Sequence, residues 1–88
     1  MILLGDIGNT DTKVCLVNSN NKIIKKFIFP SKSISLKSLK KVIKYSYLKK
    51  FQIKKSLFCS VVPSSFKIIR KYFKDYFKIK TIEIKSLS

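Results

Sequence analysis

The sequence contains no histidine, no tryptophan and no alanine, and it has only four acidic residues and two cysteines. Without histidine it can form neither a histidine-based catalytic triad nor a zinc site of the Cys–His type, and no imidazole can act as a general base. Cys15 and Cys59 lie far apart in the chain and form no Cys-x-x-Cys pair. We therefore expect reduced thiols, with neither a disulfide framework nor a structural zinc site.

Long hydrophobic runs are also absent. No apolar stretch approaches the roughly 20 residues that span a bilayer, and no basic segment of the kind that opens a signal peptide follows Met1. The 88 residues suffice for one small domain, and the 45% of apolar residues predict a folded core. We expect a cytoplasmic protein that does not enter a membrane.

Basic residues dominate the charged residues of the sequence. Twenty Lys and Arg residues against four acids give a net charge of +16, and Arg70 is the only arginine. Such a charge can attract nucleic acid or an anionic membrane. However, the lysines are spread evenly along the chain, and arginine, the residue best suited to bidentate phosphate contacts, is nearly missing. The pattern favours a general compositional bias, with nucleic-acid binding only as non-specific electrostatic attraction.

The hydrophobic pattern predicts the element order β-β-β-α-β-α-β. Short apolar runs predict strands over residues 1–7, 13–17, 22–29, 56–62 and 81–84. A first helix, capped within 31–35, has an apolar face of Leu36, Leu39, Val42, Ile43 and Tyr47. A second helix, beginning at Ser64 or Ser65, buries Phe66, Ile69, Phe73 and Phe77. Helices that alternate with the later strands predict an α/β fold with a mixed sheet, antiparallel at first and then parallel.

One segment differs from the rest of the chain. Residues 5–12, Gly-Asp-Ile-Gly-Asn-Thr-Asp-Thr, hold both glycines and half of the acids, and they precede the first lysine. Gly8 permits a tight turn and a close ligand, and backbone N–H groups in such a turn can bind phosphate oxygens. Asp6, at the end of a buried strand, is well placed for Mg²⁺, which takes one or two carboxylates plus substrate phosphates. The threonine hydroxyls and the asparagine amide add polar groups, although the same residues also suit an ordinary hairpin.

The run Asp6-Ile-Gly-Asn-Thr10, at a strand end near the start of the chain, resembles the first phosphate motif of the sugar kinase, actin and heat-shock chaperone superfamily. Within it the chain most resembles type III pantothenate kinase, because Ser60-Val-Val-Pro63 follows the fourth strand and precedes a helix with aromatic residues near its end. The matches cover essentially the whole chain. The resemblance implies that residues 1–88 form a single ribonuclease H-like (actin-like ATPase) half-domain, the N-terminal ATP-binding half of a two-domain kinase.

The resemblance further implies phosphorylation of pantothenate, the first step of coenzyme A synthesis, by a cytoplasmic homodimer that uses ATP, Mg²⁺ and a monovalent cation (K⁺ or NH4⁺). Asp6 would hold the Mg²⁺. The positions that it assigns to the ATP phosphates are Asp6, Ile7, Gly8, Asn9, Thr10, Asp11, Thr12 and Lys13. Asp11 stands where the family often has asparagine, and so adds a negative charge. The catalytic base, the Asp of a Gly-x-Asp-Arg motif, would lie beyond Ser88, so residues 1–88 alone are expected to be an inactive fragment.

Two alternatives remain open from the sequence. A small basic nucleic-acid-binding domain would use the charge of +16 and the aromatic residues among the lysines, namely Tyr45, Tyr47, Phe51 and Tyr72. A regulatory homologue of the kinase would keep the fold without activity. Strong, salt-dependent binding of an oligonucleotide would separate the first alternative from the kinase hypothesis.

Overall fold

A computed structural model describes residues 1–84, and three successive strands open the fold. They are β1 (Ile2–Ile7), β2 (Asp11–Val17) and β3 (Ile23–Pro30). β1 pairs with β2 and β2 with β3, both antiparallel. The turn after β2 is built on Asn18, whose side-chain oxygen accepts hydrogen bonds from the backbone N–H groups of Asn20 and Lys22. This is the asparagine turn that the composition predicts.

Helices and two further strands follow. In chain order they are a 3-10 turn (Ser31–Ser33), α1 (Leu36–Val42), α2 (Tyr45–Leu48), β4 (Lys55–Ser60), α3 (Pro63–Phe77) and β5 (Thr81–Glu83). β4 pairs parallel with β1, and β5 pairs parallel with β4, so the strand order is β3-β2-β1-β4-β5. The predicted α/β class, with a five-stranded mixed sheet and packed helices, is confirmed.

The prediction of one continuous first helix is wrong. Ser35 caps α1 as expected. Its hydroxyl accepts a hydrogen bond from the Ser38 backbone N–H, and the Ser38 hydroxyl accepts one from the Ser35 backbone N–H. The helix then stops at Val42, since Ile43 leaves helical geometry with φ −106° and ψ 80°. A second, short helix starts at Tyr45. Leu36, expected on the buried face, is exposed.

Prolines shift two predicted boundaries. α3 begins at Pro63 rather than at Ser64 or Ser65, because proline is favoured at the first helical position, where its missing N–H needs no partner. β3 runs through Pro30 instead of stopping before it. It lies at the edge of the sheet, where a residue without an N–H is tolerated.

The core lies between the helices and one face of the sheet. The buried residues of α3 are Ser65, Phe66, Ile69, Tyr72 and Phe73. Phe77, predicted on the buried face, is only partly buried. The sheet contributes Leu3, Ile7, Val14, Leu16, Phe27, Phe29 and Phe58. On the opposite face of the sheet, Leu4, Ile28 and Ile82 are exposed, because alternate strand residues point to opposite sides. Within residues 1–84, no helix is long and apolar enough to cross a membrane.

Candidate phosphate-binding site

A tight turn joins β1 to β2 at the carboxyl end of β1. The Gly8 N–H donates to the Asp11 carbonyl oxygen at 3.0 Å, and Ile7 opposite Thr12 forms the last pair of the ladder. The N–H of Val61, which follows β4, donates to the Ile7 carbonyl oxygen at 3.0 Å. The turn, the end of β4 and the entry to α3 therefore meet at one edge. Ligands of open α/β sheets bind at this carboxyl edge of the strands.

The carbonyl groups of the turn are directed inward by the residue that follows β3. The Ser31 backbone N–H donates to the Thr10 carbonyl oxygen at 2.9 Å, and the Ser31 hydroxyl donates to the Gly8 carbonyl oxygen at 2.6 Å. Within the described part of the chain, nothing accepts a hydrogen bond from the N–H groups of Asn9 and Thr10. Such backbone N–H groups at a turn can bind an anion.

Asp6 and Lys13 lie side by side on the uncovered face of the sheet. They are directly paired across β1 and β2, and both are exposed. Asp6 also lines a cavity of about 440 Å³, together with Cys59 and Glu83. Among residues 1–84, no group of three His, Cys, Asp or Glu side chains could hold a metal ion by itself. The Asp6 carboxylate suits Mg²⁺ that takes its other ligands from phosphates and water.

A second cavity, of about 300 Å³, lies on the other side of the turn. Asn9 lines it with Ser31, Lys32 and the first turn of α3 at Ser64 and Ser65. The way into α3 is fixed by Ser60, whose hydroxyl accepts from the Val62 N–H and donates to the Val62 carbonyl oxygen, both at 3.0 Å. This is the structural role of the first residue of the Ser-Val-Val-Pro run.

Two of the eight predicted positions do not reach the surface with their side chains. Ile7 and Thr12 are fully buried, because both point to the helix-covered face. The Thr12 hydroxyl lies 2.8 Å from the Ser31 hydroxyl. The expectation that Thr12 presents its hydroxyl to a ligand is therefore corrected. The alternation of Thr12 with the buried residues Val14 and Leu16 already carried this signal in the sequence.

The remaining predicted positions are brought together around the turn. Gly8 is half-buried, and the exposed positions are Asp6, Asn9, Thr10, Asp11 and Lys13. Gly8 does not adopt a positive φ; a Cβ there would stand 3.1 Å from the Asp11 carbonyl oxygen, which is a close approach. Gly5 is the more constrained glycine, because its Cβ would overlap the Phe58 ring. A glycine inside a strand was the available signal for such a contact.

The four aromatic residues of the nucleic-acid alternative do not form one exposed surface, although Tyr45 is 47% exposed. Tyr72 is buried, Tyr47 packs against Phe27 and Phe51, and Tyr45 packs against Phe77. Base stacking requires exposed aromatic faces. A further cavity of about 520 Å³, lined by Arg70, Lys74 and Lys78 among others, lies where α3 leads into β5, at the edge opposite the turn.

Residues 2–88 match the sequence profile of a family described as type III pantothenate kinase. A protein of Pelagibacter ubique (strain HTCC1062) named type III pantothenate kinase is 51% identical over 88 residues; the match covers 100% of this chain and 36% of that protein. The chain thus spans about a third of that relative. Among solved structures, the Aquifex aeolicus PPX-GPPA enzyme has a similar fold, with a TM-score of 0.54 at 13% identity over 96% of this chain and 35% of that one. Because the profile covers nearly every residue, this chain belongs to the type III pantothenate kinase family.

Proposed function

We propose that this chain is the ATP-binding part of a kinase that phosphorylates pantothenate, the first step of coenzyme A biosynthesis. The observation that carries the proposal is the turn after β1, where the N–H groups of Asn9 and Thr10 have no acceptor among residues 1–84 and the Asp6 carboxylate is exposed nearby. The family match and the name of the Pelagibacter ubique relative support pantothenate as substrate.

In this proposal residues 1–88 form one ribonuclease H-like, actin-like ATPase half-domain of a two-domain kinase. The likeness in fold to the Aquifex aeolicus enzyme supports the fold assignment, and the relative's greater length supports a second half. The complete enzyme would be a cytoplasmic homodimer that uses K⁺ or NH4⁺ besides Mg²⁺. We assign no residue of this chain to the monovalent cation or to the dimer contact.

The predicted positions have different roles at the phosphates. The N–H groups of Asn9 and Thr10 bind phosphate oxygens, and the Lys13 ammonium group offsets negative charge. Asp6 would hold Mg²⁺, which would neutralise the phosphate charge that otherwise repels the carboxylate. Ile7 contributes through its backbone, and Thr12 contributes through its buried hydroxyl. The exposed carboxylate of Asp11 faces water, where solvent and salt weaken its repulsion of a phosphate.

Phosphoryl transfer also requires a base and a bound acceptor held in line with the donor. We assign neither to residues 1–88. The Asp of a Gly-x-Asp-Arg motif from the rest of the enzyme would act as the base. Residues 1–88 alone are therefore expected to bind phosphate groups weakly and to transfer none.

The proposal can be tested in a chimaera that substitutes this chain for the matching third of the Pelagibacter ubique relative. We expect ADP release that depends on pantothenate and Mg²⁺. Asp6→Asn should abolish it, whereas Asp75→Asn should not, because Asp75 lies in an exposed ion pair with Lys71 on α3. If the chimaera folds but is inactive, while the unmodified relative is active in the same assay, the proposal is contradicted. Full activity of Asp6→Asn would remove Asp6 from the site.

A further inference from the structure

We propose that the Ser31 hydroxyl is a positioning group for the phosphate turn: by binding the Gly8 carbonyl oxygen, it directs the Asn9 N–H toward a bound phosphate. The inference rests on the proposed function, since it takes the turn to be the phosphate site. Ser31 lies 23 positions from Gly8 along the chain. It belongs to no motif of the sequence.

The bonds that Ser31 makes set the direction of two peptide groups in the turn. No peptide bond of the described chain is cis, and in a trans peptide unit the carbonyl group and the following N–H point in opposite directions. Holding the Gly8 carbonyl inward therefore turns the Asn9 N–H outward. In the same way, the Ser31 backbone N–H holds the Thr10 carbonyl inward, in the peptide unit between Thr10 and Asp11.

The hydroxyl protons fix which residue is the donor in each bond. Ser31 has one hydroxyl proton, and the 2.6 Å contact with the Gly8 carbonyl oxygen uses it, because a carbonyl can only accept. In the 2.8 Å contact between the Ser31 and Thr12 hydroxyls, Thr12 must therefore be the donor. The bonds run in one direction, from Thr12 to Ser31 to Gly8, and each strengthens the next.

Burial and a further bond to α3 make this arrangement rigid. Ser31 is only 4% exposed and Thr12 is fully buried, so water does not compete for these bonds. The Ser31 carbonyl oxygen also accepts a long bond of 3.5 Å from the Ser65 hydroxyl in the first turn of α3. The turn after β1 is thus tied through one serine to the end of β3 and to the start of α3. A binding loop held in its bound conformation loses less entropy when its ligand arrives.

The test is steady-state kinetics of the chimaera with Ser31→Ala. Loss of the hydroxyl should raise KM for ATP about tenfold and leave KM for pantothenate unchanged. A residue that only maintained the fold would lower the active fraction, and hence apparent kcat, without changing either KM. Ser33→Ala, an exposed serine in the same 3-10 turn, is the matched control and should change nothing.

Thr12 supplies a second pair of variants. Thr12→Val removes the donor to Ser31 and should raise KM for ATP about threefold, whereas Thr12→Ser keeps the hydroxyl and should restore the value. This pair carries the test if Ser31→Ala does not fold. An unchanged KM for ATP in folded Ser31→Ala, or equal values in the two Thr12 variants, would overturn the positioning role alone. An inactive unsubstituted chimaera would instead overturn the proposed function and this inference with it.

Discussion

The hydroxyl of Tyr72 donates a 2.6 Å hydrogen bond to the carbonyl oxygen of Ile43, at the point where α1 ends. Tyr72 is 1% exposed and Ile43 is fully buried. In a continuous helix the Ile43 carbonyl would accept from the N–H of Tyr47, but that N–H donates to the Lys44 carbonyl instead. The tyrosine thus replaces a helical hydrogen bond that the chain does not form there.

Removing this hydroxyl should destabilise the fold. We expect Tyr72→Phe to lower the free energy of unfolding by about 1–3 kcal/mol, because it leaves the Ile43 carbonyl buried without a partner. Urea denaturation followed by circular dichroism would measure the change. Tyr76→Phe is the control, since Tyr76 is on the same helix but 37% exposed, and it should cost less than about 0.5 kcal/mol. Equal effects of the two substitutions would contradict the role of the Tyr72–Ile43 bond.

The same residue predicts a dependence on alkaline pH. Burial, and secondarily the neighbouring Tyr76, raises the pKa of Tyr72 above its ordinary value. The unfolded chain therefore loses the Tyr72 hydroxyl proton at lower pH than the folded chain. The contribution of this hydroxyl to the free energy of unfolding is fully present below about pH 10, and it declines as pH rises through the folded-state pKa. Unfolding free energies of the wild type and Tyr72→Phe, measured from pH 8 upward, should converge above pH 10. A constant difference would argue against the raised pKa.

Gly5 should tolerate no side chain. In Gly5→Ala the new Cβ would overlap the ring of Phe58 on the neighbouring strand β4, and we expect a loss of about 1–3 kcal/mol of stability from overpacking. Gly8→Ala should cost less, because its Cβ would meet only the Asp11 carbonyl oxygen at 3.1 Å. Thermal denaturation of both variants would decide the order. A larger loss for Gly8→Ala would show that the close approach at Phe58 is not the limiting contact.

Adjacent residues of β3 should respond in opposite ways to substitution. Phe29 is 6% exposed and faces the helices, whereas Ile28 is 56% exposed on the uncovered face. Phe29→Ala should lower the unfolding free energy by about 3–5 kcal/mol, and Ile28→Thr should change it by less than about 0.5 kcal/mol. Chemical denaturation of both would measure the contrast. A severe loss in Ile28→Thr would mean that the face assigned as open is covered.

Local patterns predicted most of the elements. Phe66, Ile69 and Phe73 recur with the helical period, and that period is set by the backbone of the helix itself. The break after α1 escaped prediction because part of its cause, the hydroxyl of Tyr72, lies 29 positions away. Tyr72 was not predicted in the core of α3, although it lies three positions after Ile69 and therefore on the same face of the helix.

For the candidate site, the sequence alone determined the composition of the turn: glycine for a close approach, small polar residues, and Asp6 at the end of an apolar strand. These are properties of neighbouring residues. Only the tertiary structure decided that Ser31 holds the Gly8 carbonyl and that the buried Thr12 hydroxyl donates to Ser31 instead of facing a ligand. Those contacts depend on the register between β2 and β3, which brings together residues about 20 positions apart. No histidine can serve this site, and the direction of the backbone N–H groups that can bind an anion is set by the fold.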